Sequence, residues 1–94
     1  MNGSENKSLV AVAKNLGFGA ALLALQRGHK VRRVGWNGKN MFLILIREYQ
    51  VQAPLHGEVD YMSAWLGMRT AQRGFVPWVA SQSDLLDSDW EVLE

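Results

Sequence analysis

Apolar residues follow two different rhythms along this chain. Between residues 17 and 28, Phe18, Leu22 and Leu25 recur at helical spacing among alanines and leucines, which favour helix. Gly28 then stands where a glycine just past a helix end belongs. Next come residues 29–34 and residues 41–47, two strand-like runs separated by Asn37-Gly38. Asn-Gly is a strong hairpin signal, because a two-residue type I′ turn needs φ > 0 at both central positions. The two runs are expected to pair antiparallel. Residues 41–46 are apolar at every position, so both faces of that strand should be covered, one by the helix and one by a further layer or a second subunit.

The flanking segments carry weaker patterns. Residues 1–8 are polar and read as a frayed tail, and residues 9–14 read as a helical turn or as more of that tail. Residues 49–60, with Pro54, His56 and Gly57, read as a long loop. Residues 61–70 read as one strand with Trp65 inside it, and residues 71–74 as a turn ending on Gly74. Residues 75–79 return as a strand, with Pro77 expected at a sheet edge because it cannot donate to a ladder. Ser81 with Asp84 three residues later matches a capping box with Asp in place of Glu, opening a short helix within residues 81–89. Residues 90–93 alternate as a final strand, with Trp90 the indole best placed for the core. The predicted class is α+β: a small antiparallel β-sheet with one main N-terminal helix and a short C-terminal helix. Residues 1–15 are read as a flexible extension and residues 16–94 as a single domain.

Composition narrows the class. Ninety-four residues with 48% hydrophobic content make one small domain with a real core. The absence of cysteine excludes a disulfide framework, a thiol nucleophile and a thiolate metal site. No apolar run approaches the ~20 residues of a membrane-spanning helix, so no membrane partner is expected.

The net charge of +1 hides an asymmetry. From Lys14 to Arg47 every charged residue is basic, and after Gly74 every one is acidic. Either the two halves neutralise each other or the basic half lines a pocket for a phosphorylated ligand. A duplex-binding protein would be more basic overall.

Catalytic chemistry finds little footing. His29 and His56 lack metal-ligand spacing, and Asp84 with Asp87 reads better as a solvated helix start than as a cation site. Gly17 and Gly19 lack the third glycine, preceding strand and lysine of a phosphate loop. No catalytic residue, metal or cofactor is expected. The binding inventory is richer: four tryptophans offer flat stacking surfaces, and Arg32, Arg33, Lys39 and Arg69 can pair with phosphate. Each tryptophan can equally be core, but Trp36 and Trp78 flank loops and suit a pocket wall.

Two segments carry a family likeness: Trp36-Asn37-Gly38, and residues 76–90, with the Trp78-Val79-Ala80-Ser81-Gln82 run inside them. With Gly28-His29-Lys30-Val31 and Met68-Arg69-Thr70-Ala71 in the same order, the chain resembles the small phage and prophage proteins of the second Thoeris anti-defence type. The likeness runs from about Phe18 to Leu93 and is least over residues 49–60. It implies a non-enzymatic sponge in the cytoplasm of an infected or lysogenic bacterial host. Such a sponge holds cyclic nucleotide immune signals, glycocyclic ADP-ribose or cyclic dinucleotides, without cleaving them, so that Thoeris- or CBASS-type effectors stay off. It also implies a homotetramer with pockets between subunits. Matched positions and residue chemistry together assign candidate contacts. Trp36 and Trp78 stack on or wall the base, Asn37 and the Gly38 backbone reach from the turn, and Lys39 and Arg69 face phosphate. Ser81, Gln82 and Asp84 read ribose or a base edge, with helix capping as the alternative role for Asp84. A single-stranded nucleic-acid-binding module is the main competing reading of the same side chains.

Overall fold

A computed structural model describes residues 9–36, 40–47, 49–50 and 55–94. The elements run β1 (Ala11–Leu16), α1 (Phe18–Gln26), β2 (Lys30–Arg33), a 3-10 turn (Val34–Trp36), β3 (Phe42–Ile46) and β4 (Tyr49–Gln50). A 3-10 turn (Leu55–Gly57), β5 (Tyr61–Met62), β6 (Trp65–Arg69), β7 (Phe75–Pro77), α2 (Gln82–Leu86) and β8 (Trp90–Leu93) complete the chain. Six strands form an antiparallel sheet in the order β1-β8-β2-β3-β6-β7, and β4 pairs with β5 in a separate two-stranded ladder. The expected α+β class, with one main helix and one short one, is the class observed.

The helix α1 stops as its sequence requires. Gly28 takes φ +93°, and the N–H groups of Gly28 and His29 donate back to the carbonyls of Leu25 and Ala24, both at 3.0 Å. This is the paired-bond helix ending that a left-handed residue permits. Arg47, just past β3, donates to the Gln26 carbonyl at 2.7 Å and satisfies a further helix-end acceptor. The buried face of α1 presents Ala21, Ala24 and Leu25 to Val31, Leu43, Trp90 and Val92 on the sheet. Small alanines let the helix lie close to those larger residues.

Four expectations are corrected. Residues 11–14, read as a helical turn or tail, belong to strand β1, which pairs with β8. The ordered sheet therefore begins ahead of residue 16, inside the stretch read as an extension; residues 1–8 lie outside the described residues. Second, β2 and β3 do pair antiparallel, but not in the register that a plain two-residue turn sets. Such a turn at Asn37-Gly38 would set Val31 opposite Ile44, whereas Val31 faces Leu43. β2 ends at Arg33, and Val34–Trp36 coils into a 3-10 turn whose Val34 N–H donates to the Asp89 carbonyl at 3.1 Å. Asn37, Gly38 and Lys39 lie outside the described residues. The one-residue change of register decides which side chains meet the helix: Leu43 is buried against it, and Ile44 turns to the other face. Third, the single strand expected over residues 61–70 is two, β5 and β6. Fourth, the loop over residues 49–60 is tied at its ends by the β4–β5 ladder.

Other expectations hold. The residues 71–74 turn closes with Thr70 N–H on the Gly74 carbonyl at 2.7 Å. β7 is an edge strand and carries Pro77. Trp90 is fully buried. β8 is buried at all four positions rather than alternating, and it is an interior strand with β1 and β2 on its two edges.

Candidate ligand-binding site

Alternation along a strand divides the side chains between two faces. Val31 and Arg33 of β2 sit opposite Val92 and Trp90 of β8, on the helix side. Lys30 and Arg32, with Phe42, Ile44 and Ile46 of β3, take the far side. The predicted contacts divide along the same line.

Trp36 and Trp78 come together on the helix side. The 3-10 turn brings Trp36 over the end of β8, with ring centroids 5.4 Å from Trp90 at an interplanar angle of 79°. The Trp78 N–H prolongs the β6–β7 ladder by donating to the Leu66 carbonyl at 3.0 Å. Its ring lies 6.3 Å from Trp36 at 72° and 5.9 Å from Trp90 at 89°. Phe18, the first residue of α1, closes the group at 5.3 Å from Trp90 and 5.9 Å from Trp78. Edge-to-face contacts set the electropositive rim of one ring against the negative face of the next, and each adds about 0.5–1.5 kcal/mol beyond burial. Trp90 is the floor of the cluster, while Trp36 and Trp78 remain half-buried with surface left to offer.

Ser81, Gln82 and Asp84 follow within a few residues. The capping box forms in full: Ser81 N–H donates to Asp84 Oδ2 at 2.8 Å, and Asp84 N–H donates to Ser81 Oγ at 3.1 Å. Asp84 is buried, and its other oxygen accepts from Arg33 Nη1 at 2.9 Å. Ser81 and Gln82 are exposed.

Arg33 joins these parts, and sequence reasoning did not assign it that role. Its three guanidinium nitrogens go to three different carboxylates. Nε donates to Asp89 at 2.8 Å, Nη1 to Asp84 at 2.9 Å and Nη2 to Asp87 at 2.6 Å, with Ser83 Oγ also accepting from Nη1 at 3.3 Å. Beside it, Arg32 Nε donates to Glu91 at 3.1 Å. The basic and acidic halves of the sequence thus neutralise each other here within one chain, and both guanidiniums are engaged by carboxylates. The bonds to Asp89 and Asp84 hold Arg33 protonated far beyond its usual range, against the opposing pull of burial. Burial pushes the Asp84 carboxyl up, but the Ser81 backbone N–H and Arg33 outweigh it and the pKa falls below its ordinary 3.8. The spacing of Asp84, Asp87 and Asp89 was visible in the sequence. That they converge on a strand arginine more than fifty residues earlier was not.

Arg69 is not brought to this cluster within one chain. It lies opposite Phe42 on the far side, with Nη1 donating to the Asn40 carbonyl at 2.9 Å and its guanidinium carbon 5.7 Å from the Phe42 ring centre. Lys30 Nζ stands 5.6 Å from the same ring, and Phe75 meets it edge-on at 6.1 Å. Among the described residues no enclosed cavity forms and no group of three His, Asp or Glu side chains is disposed to hold a metal ion. A strand, β1, does precede Gly17, but neither a third glycine nor a lysine follows at phosphate-loop spacing. No helix among the described residues is long and apolar enough to cross a membrane.

Comparison with known proteins supplies an independent line. A family model described as "Thoeris anti-defense 2-like domain" matches residues 16–93. A curated relative, "Thoeris anti-defense 2" of Bacillus phage SP01, is 35% identical over 91 residues, spanning 83% of this chain and 94% of the relative.

Proposed function

Since the chain belongs to the Thoeris anti-defense 2-like family, we propose that it counters Thoeris defence as a sponge, holding a cyclic nucleotide signal without cleaving it. The signal is glycocyclic ADP-ribose or a cyclic dinucleotide, the protein is not an enzyme, and it acts in the cytoplasm of the infected host on Thoeris- or CBASS-type signalling. The observation that carries this reading is the Trp36–Trp78 pair, half-buried on a rigid floor beside the exposed Ser81 and Gln82.

The magnitudes are compatible. Sequestration of a scarce signal needs about nanomolar affinity, roughly −12 kcal/mol. Stacking of two bases contributes about 2–6 kcal/mol. Charge-assisted hydrogen bonds at about 1.5–3 kcal/mol each supply the rest and offset immobilisation. In this reading Trp36 and Trp78 wall the base, Asn37 and Gly38 contact the ligand from the turn, and Lys39 faces phosphate. Ser81 and Gln82 read ribose or a base edge, with Asp84 fixing Ser81 from beneath.

A ring-shaped ligand needs walls on more than one side, and we assign the remaining walls to a second copy in a homotetramer. Both sheet edges resist pairing. β1 has two register shifts and Asn15 at φ 59°, and β7 carries Pro77. The far face is different: Phe42, Ile44, Ile46 and Trp65 are only half-buried, and the Trp65 indole N–H is buried with no acceptor among the described residues. Covering that face with another subunit places Arg69 at an interface on the side of the sheet opposite Trp36 and Trp78, so in this reading a phosphate contact from Arg69 to that pair comes from a partner's copy.

The test is to incubate the protein with glycocyclic ADP-ribose and with cyclic dinucleotides, wash, denature, and analyse the released material by mass spectrometry. Stoichiometric return of intact nucleotide is expected, and its loss when Trp36 and Trp78 are both changed to alanine. A hydrolysed product would make the protein an enzyme. The aromatic and cationic group of Phe42, Phe75, Lys30 and Arg69 favours the second reading, a single-stranded nucleic-acid module. That reading predicts affinity rising with strand length and falling steeply with salt.

A further inference from the structure

We infer that Arg33 is a positioning residue, which sets the geometry of the Trp36–Trp78 pair by clamping the chain after Trp78 to the strand before Trp36. The inference rests on the reading that this pair walls the ligand, but its geometric content can be measured without any ligand.

The connectivity makes the case. Arg33 is the last residue of β2, three positions before Trp36. Its three nitrogens reach Asp84, Asp87 and Asp89, so residues 84–89 are held at three points from one side chain. The next residue, Val34, donates its N–H to the Asp89 carbonyl, a backbone bond in the same place. Asp84 in turn fixes Ser81 through the capping box, three residues after Trp78. Arg33 is thus the common tie between the turn that carries Trp36 and the segment that follows Trp78.

Chemistry explains why arginine is needed. Three carboxylates gathered within one side chain's reach repel one another, and only a planar fork with separate N–H groups can answer all three at once. A lysine ammonium at the same place is a single point charge that can favour one carboxylate or share weakly among them. With its nitrogens engaged, Arg33 is not available as a phosphate contact. The clamp remains net negative, with Asp87 and Asp89 partly exposed at 53% and 36%. The ligand's phosphates are therefore turned away from α2, and donor groups of ribose or base turned toward it.

The experiment compares wild type with Arg33→Met, Arg33→Lys and Asp87→Asn, each labelled with 5-fluorotryptophan. Fluorine NMR reads the four tryptophans separately, at a temperature below each variant's melting point. Calorimetric titration with glycocyclic ADP-ribose reads affinity. In Arg33→Met the Trp36 and Trp78 resonances should shift or broaden while that of Trp65, on the far face, stays in place. Affinity should fall about 100-fold, the order expected when stacking on the misplaced pair is weakened. Arg33→Lys should lose about tenfold, and Asp87→Asn, which removes the charge of the exposed arm and keeps an acceptor, a few-fold. Unchanged Trp36 and Trp78 resonances in Arg33→Met would overturn the inference, as would wild-type affinity in a folded variant. If Arg33→Met does not fold, Arg33→Lys and Asp87→Asn decide by the same two readouts. If wild type binds neither glycocyclic ADP-ribose nor the cyclic dinucleotides, the functional reading fails, and the fluorine resonances still judge the clamp.

Discussion

The Trp90 indole N–H donates to the Asp84 backbone carbonyl at 2.8 Å. One bond thereby joins the floor of the aromatic cluster to the helix turn that holds Ser81. Both partners are buried, so neither finds water if the other is removed. Trp90→Phe keeps a ring but leaves that carbonyl unanswered and opens space. It should cost about 2–4 kcal/mol, read as a lowered urea midpoint with unchanged slope.

Asp84 gives the protein an acid-sensitive joint. Its folded pKa lies below its ordinary 3.8, so the folded state prefers the ionised form more strongly than the unfolded chain does. The stability it contributes is present in full above the unfolded value and is lost as pH falls through the folded one. Stability should be steady near neutrality and decline below about pH 4. In Asp84→Asn that part of the decline should vanish, with a lower stability at neutral pH. Thermal unfolding followed from pH 7 to pH 2.5 in both proteins checks the sign.

Gly67 of β6 pairs with Ile44, two residues along the ladder from the Ile46–Trp65 pair. A Cβ there would come to 3.1 Å from Ile46 Cγ1 and 3.3 Å from the Trp65 ring. Gly67→Ala forces one of these side chains aside and should destabilise by about 1–3 kcal/mol. The expected spectral companion is a change in Trp65 alone, with the Trp36, Trp78 and Trp90 group undisturbed on the other face.

Trp36 separates binding from folding. It is half-buried and packs on the cluster from outside, so Trp36→Ala should lower the melting temperature modestly. Loss of a stacked base is worth about 1–3 kcal/mol, so affinity for a bound nucleotide should fall by roughly 5-fold to 150-fold. Trp36→Phe should restore part of it. A variant with wild-type affinity would remove Trp36 from the ligand site.

Much of the fold could be read along the chain, and the reasons are local. Gly28 ends α1 because its φ is positive, a property of the residue itself. The capping box at Ser81 and Asp84 spans four residues, and Pro77 declares an edge because it has no N–H. Trp90 was assigned to the core by its place in a short alternating strand. Each of these features is decided within a few residues, where the chain's own sterics and hydrogen-bonding groups leave little choice.

What the tertiary structure decided depends on partners distant in sequence. Residues 11–14 hold too little pattern to declare a strand, and become one because β8 offers them a ladder from the other end of the chain. Asn37-Gly38 favours a tight turn by its own propensity, but the register that sets Leu43 opposite Val31 is decided by the folded sheet. The pairing of β2 with β8, Val31 on Val92 and Arg33 on Trp90, turns Arg33 rather than Arg32 toward the helix side, where three aspartates meet it. Trp36 and Trp78 were legible as aromatic residues beside loops. That they face one another over Trp90, while Arg69 looks out from the opposite side of the sheet, came from strand order. An amino acid carries its own propensity and charge wherever it stands, but its neighbours across a sheet are chosen by the packing of the whole.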